Sequence, residues 1–222
     1  MTPPQFYKLV RKGWIHHGIK LNLGLNTLTE RYVDSFDIPS GGFYICSKED
    51  IPYWLDLYSD LQCVCEVTLP YGTSICVGER KIKVNRMILS NPVVISRFLE
   101  LSFTKEELVN CSLELNAMIH HITRYDILKE ILMKNINLFI HVQSVHRVPK
   151  LCWMAIEANP AYLAYVPYDN QSKELCLKAV SMDPKVVYAI ICPALRSEIG
   201  RTINPWWNVT QERINLGLEW GR

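Results

Sequence analysis

Two consecutive stretches decide how this chain is read: Lys150–Lys173, KLCWMAIEANPAYLAYVPYDNQSK, and Glu174–Ser197, ELCLKAVSMDPKVVYAIICPALRS, align without a gap. Leu151 matches Leu175, Cys152 matches Cys176, Ala155 matches Ala179 and Ile156 matches Val180. Apolar residues at i, i+1, i+4 and i+5 share one helical face, so each copy opens with a short amphipathic helix. Pro160 and Pro184 follow Asn159 and Asp183 at the same point of each copy, where a turn ends that helix and a second begins. Upstream, Asp126–Pro149, DILKEILMKNINLFIHVQSVHRVP, keeps the register. There Ile127, Leu128, Ile131 and Leu132 hold the shared positions, and Ile136 replaces the proline. Val142, Val166 and Ile190 form the last shared apolar position. Helices this short are unstable alone and must stack to bury their faces. Residues 101–222 therefore read as a helical repeat domain, with repeats 126–149, 150–173 and 174–197 and a terminal segment 198–222.

That terminal segment carries Trp206, Trp207 and Trp220. A repeat array leaves the flank of its last copy, around Val180, Val187 and Ile191, without a neighbour. Pro205 can turn Trp206 and Trp207 back over it as a cap. Exposed instead, the three tryptophans would anchor a protein partner.

Residues 1–100 read as an α+β domain, an antiparallel sheet with a packed helix. Gly41-Gly42 introduces Phe43-Tyr44-Ile45-Cys46, a short apolar strand. Ser47 is placed to cap a helix over 48–59, with Pro52 in its first turn and Tyr53, Trp54, Leu57, Tyr58 and Leu61 forming a stripe against the sheet. Residues 62–69 alternate as a strand, and 74–77 and 81–89 supply two more, so the three form a meander. Trp14-Ile15-His16-His17 reads as a strand and Gly24-Leu25-Asn26 as a turn.

Composition narrows the function classes. The 222 residues are 49% hydrophobic and 21% charged, with a formal net charge of +2. Neither half carries an excess of basic residues, so a nucleic acid partner is not indicated. No run approaches the roughly 20 apolar residues of a membrane span, and Met1–Gln5 does not begin a secretory signal. A cytoplasmic protein with its eight cysteines reduced is the expectation. His16-His17, His120-His121, His141, His146, Cys63 and Cys65 lack zinc-ligand spacing, and no phosphate loop or hydrolase elbow is present, so neither metal nor cofactor is expected.

Two resemblances add to these readings. The copies Leu151–Val166 and Leu175–Ile190 resemble a short helical repeat of unknown function found in mimivirus-like giant viruses and some bacteria. The runs Gly42-Phe43-Tyr44, Glu66–Pro70 and Lys81–Leu89 are similar to a module of uncharacterised giant-virus proteins. These imply a viral origin more than an activity, and the expected role is a non-catalytic interaction or structural module acting through protein contacts, in the host cytoplasm or the virion. The alternative comes from His17-Gly18, Gly24-Leu25 and Gly42-Phe43-Tyr44, which resemble the layout of ADP-ribosyltransferases. That resemblance implies an NAD-using enzyme in which His17 holds the nicotinamide ribose and Tyr44 begins the ring-stacking platform. The sequence departs from the pattern at Leu55, where a second stacking tyrosine is expected, with Tyr53, Trp54 and Tyr58 nearby. The catalytic glutamate has no clear counterpart, Glu66 and Glu100 being the nearest candidates. A cleft bounded by Tyr44 and His17 would favour the enzyme, and a filled core at those positions would remove it.

Overall fold

The computed structural model describes residues 5–37, 40–111 and 115–204; Trp206, Trp207 and Trp220 lie outside them. The fold is α+β. The chain divides into two compact units, residues 1–127 and 128–222, further along than the boundary at residue 100.

In the first unit, strands β1 (Phe6–Arg11), β4 (Gly24–Thr27), β6 (Leu61–Thr68) and β9 (Arg86–Val94) form an antiparallel sheet in the order β1-β6-β9-β4. A second sheet has the order β5-β8-β7, from β5 (Phe43–Ile45), β7 (Ile75–Val77) and β8 (Ile82–Val84). Between them they bury Val10, Phe43, Ile45, Cys65, Met87 and Leu89. The sheets are stitched where Tyr7 and Cys46 exchange backbone hydrogen bonds of 2.9 and 3.0 Å.

The expected meander is thus divided between two sheets, and Asn85 is where it divides. Its backbone N–H donates to Ser74 O, its Oδ1 accepts from Ser74 N at 2.9 Å, and its carbonyl accepts from Leu28 N. The residue that alternation placed inside one long strand instead ends β8 and starts β9. The expected turn at Gly24–Asn26 is the start of β4. Asn26 is buried, and its side chain closes a loop onto Asn22 at 2.9 and 2.7 Å, so the turn chemistry precedes the strand. The expected strand at Trp14–His17 is a miniature hairpin, β2 (Ile15–His16) with β3 (Ile19–Lys20). His17 and Gly18 both have positive φ, 47° and 84°, as a type I′ turn requires.

Helix α1 (Ile51–Leu57) is shorter than expected, and Asp50 at its N-cap position makes no side-chain capping bond; the Ser47 hydroxyl donates to the Asp50 carboxylate at 2.8 Å instead. Its buried face is Ile51, Pro52 and Leu55, and it packs on α4 (Leu115–Ile119). The aromatic stripe of Trp54 and Tyr58 therefore stays partly open. Helix α2 (Ile95–Ser102) packs on β6 and β9, and α3 (Lys105–Asn110) starts with a reciprocal Thr104–Glu107 capping box. All eight cysteines are free thiols, and no helix among the described residues is long and apolar enough to cross a membrane.

The repeats keep their period. Helices α5 (Tyr125–Lys134), α6 (Pro149–Ala158) and α7 (Lys173–Met182) each lead into a 3-10 segment, at Ile136–His141, Pro160–Tyr165 and Pro184–Ala189. Asn135, Asn159 and Asp183 cap these segments identically, each accepting the N–H two residues on, at 3.1, 3.0 and 2.9 Å. The aligned apolar positions are buried in every copy. Helix α8 (Pro193–Ile203) packs on Pro184–Ala189, so the flank of the last copy at Val187 does have a neighbouring helix.

Candidate functional site

Strand β1 carries Lys8 between Phe6 and Val10 on the face turned to the core. Only 5% of Lys8 is exposed. Its Nζ lies 3.3 Å from Nδ1 of His16, and Nε2 of His16 lies 3.1 Å from the carbonyl oxygen of Gly42. A carbonyl can only accept, so Nε2 carries the proton and Nδ1 is left to accept from the lysine. Burial, reinforced by Lys8 and His17, pushes His16 down to about 2 and keeps the ring neutral. Burial also pulls Lys8 from 10.5 to about 8.

That shift has a sign. The folded-state pKa lies below the unfolded one, so holding the ammonium inside costs stability below the folded value. The cost is on the order of 3 kcal/mol at neutral pH, and it is relieved as the pH rises from about 8 to 10.5. Among the described residues, His16 is the hydrogen-bond partner of Lys8, and no carboxylate stands within ion-pairing distance of it.

Lys8, His16, His17, Tyr44, Trp54 and Tyr58 line a cavity of about 90 Å³ in this unit. Tyr44 sits on β5 with its ring 5.8 Å from His17 and stacked on Phe36 at 6.2 Å. Trp54 and Tyr58 stack at 5.9 Å with rings 5° from parallel, and the indole N–H donates to Arg80 O at 3.0 Å. Arg11 covers Tyr58 at 4.1 Å and pairs with Asp60 at 3.4 Å. Cys46 also lines the space, but burial pushes its thiol up to about 12, so it is no nucleophile at neutral pH.

His17 and Tyr44 are thus brought to one cavity, while the other transferase positions are not. Leu55 is buried on the inward face of α1, and Trp54 and Tyr58 supply the rings. Glu66 accepts from Asn91 at 2.7 Å, and Glu100 accepts from Thr123 and pairs with Arg97 at 3.9 Å; neither lines the cavity. Among the described residues, no carboxylate lines it. Lys8 was missed from the sequence, and His16 was weighed only as a metal ligand. The available signal was a lysine interrupting the apolar face Phe6-x-Lys8-x-Val10. His120 and His121 make an edge-on ring contact, and no metal-ligating cluster of three occurs among the described residues.

Gly42 holds the cavity to the second sheet. A Cβ there would lie 2.5 Å from Cγ of Lys83, whose buried Nζ donates to Ser35 O at 2.8 Å. Gly42→Ala should therefore cost about 1–3 kcal/mol in urea unfolding through overpacking and shift the ring resonances of His16. An unchanged unfolding free energy would mean that the Lys83 stem moves aside freely.

No family model, curated protein or solved structure matches this chain.

Proposed function

We propose that this protein is a non-catalytic binding module. Its first unit holds a planar ring, and its repeat unit contacts a protein partner. The observation carrying the first half is the cavity itself, where His17, Tyr44, Trp54 and Tyr58 surround space beside a buried lysine. Transfer of ADP-ribose builds positive charge on the ribose, which an enzyme stabilises with a nearby carboxylate. This cavity offers Lys8 and Arg11 instead, which favours binding over transfer. For the second half, the repeats expose Tyr165, Tyr168 and Tyr188, the residue type that anchors protein interfaces. Trp206, Trp207 and Trp220 are the other candidate surface. The giant-virus resemblance belongs to the same proposal and would place the partner in the host cytoplasm or the virion.

The NAD-using transferase is kept as a second reading because His17 and Tyr44 share the cavity. Titration of the full chain with NAD, followed by calorimetry and by nicotinamide release, separates the two. No release of nicotinamide from NAD, together with binding of a single-ring compound that Tyr44→Ala weakens at least tenfold, is the expected result. Release of nicotinamide that His17→Ala abolishes would establish the enzyme instead. If neither NAD nor any single-ring compound binds, the ring-binding half of the proposal fails.

A further inference from the structure

We infer that Lys8 is the anchor for a small carboxylate ligand whose planar body lies among the rings of His17, Tyr44, Trp54 and Tyr58. The inference rests on the reading of this cavity as a ring-binding site and adds the charge and chemical class of what enters it.

A protonated lysine has three N–H donors. One is directed at Nδ1 of His16, and no other acceptor bonds it among the described residues, although the residue is 5% exposed. A buried ammonium so poorly served is costly to keep. It lines the cavity, so its remaining donors have an acceptor only when something occupies that space.

The surroundings narrow the occupant. His16 cannot supply further acceptors, because Nε2–H is committed to Gly42 O and Nδ1 to Lys8. Arg11 is committed to Asp60 and to the face of Tyr58, leaving Lys8 as the cation of the described lining with donors to spare. At neutral pH a lysine held near 8 is still mostly charged, so it serves as a counter-ion rather than a nucleophile. Two free N–H groups match the two oxygens of a carboxylate. A phosphoryl group would ask for more donors, and among the described residues neither a glycine loop nor a helix N-terminus lines the space to give them. A volume of about 90 Å³ suits one ring with a small substituent and not a whole nucleotide.

The test uses the full chain and three probes of one shape: benzoate, benzamide and phenylphosphonate, titrated by NMR. Benzoate is expected to bind at least tenfold more tightly than benzamide. Lys8→Met should reduce benzoate to the benzamide level and leave benzamide unchanged. Equal binding of benzoate and benzamide by the wild type overturns the carboxylate anchor while leaving the ring site standing. So does a Lys8→Met variant that keeps its benzoate affinity. Tighter binding of phenylphosphonate overturns it in favour of a phosphoryl ligand. If no probe binds, the ring-site reading falls together with the inference. Should Lys8→Met fail to fold, the wild-type comparison of the three probes decides alone.

Discussion

Ala155→Asp and Ala179→Asp should each destabilise the repeat unit by about 3–5 kcal/mol. Both alanines are fully buried, at the same position of successive copies, where α6 and α7 approach one another. Their neighbours across the aligned face are apolar: Leu151, Cys152 and Ile156 in one copy, Leu175, Cys176 and Val180 in the next. A carboxylate introduced there either stays charged without a partner or takes up a proton at a raised pKa, and both cost stability. The extra volume also overpacks a position that admits only a methyl group. Because each copy is supported by its neighbours, damage at one interface should loosen the adjacent copies too. Urea unfolding monitored by far-ultraviolet circular dichroism reads this directly. Lys178→Ala, on the exposed side of α7, is the control and should stay within about 0.5 kcal/mol of wild type. An unchanged transition in either aspartate variant would refute the alignment of faces.

How much of this was legible depends on where the information lies. The repeats were readable because their period is carried by local spacing: the aligned apolar positions are the buried ones in all three copies. The caps were visible as Asn159 and Asp183 before proline, and Asn135 shows that the cap persists where the proline does not. The first unit was harder because its pairings are long-range. Alternation found β6 and β7, but it could not show that Asn85 leaves one sheet for another through bonds to Ser74 and Leu28. It could not show that α1 packs on α4, some sixty residues later, and leaves Trp54 and Tyr58 to line a cavity with residues of β1 and β5. For the candidate site, His17 and Tyr44 were legible by motif. Lys8 and His16 were not, because a buried lysine is recognisable only once its strand face is known to point inward.

The same period predicts a second large effect, at a polar position. Gln171 occupies in the second copy the place that Arg147 holds in the first, and both clamp two copies together. Arg147 donates to Val142 O at 2.8 Å and, in the next copy, to Tyr165 O at 2.6 Å. Gln171 donates to the equivalent Val166 O at 3.4 Å and Ala189 O at 3.2 Å, and its Oε1 accepts from Ile191 N at 2.8 Å. Its bond to Leu163 O is less critical, because that carbonyl also accepts from Val166 N. Gln171→Leu keeps much of the volume but leaves two carbonyls and one N–H without their side-chain partner in a site that is 7% exposed. The expected loss is about 2–4 kcal/mol. Gln171→Arg should be far milder, within about 1 kcal/mol of wild type, because arginine makes the equivalent carbonyl bonds one copy earlier and fails only to accept from Ile191 N. Thermal and urea unfolding of the two variants side by side gives the answer. If leucine and arginine are equally damaging, or equally harmless, the clamp is not what ties successive copies, and the stacked apolar faces alone hold the array together.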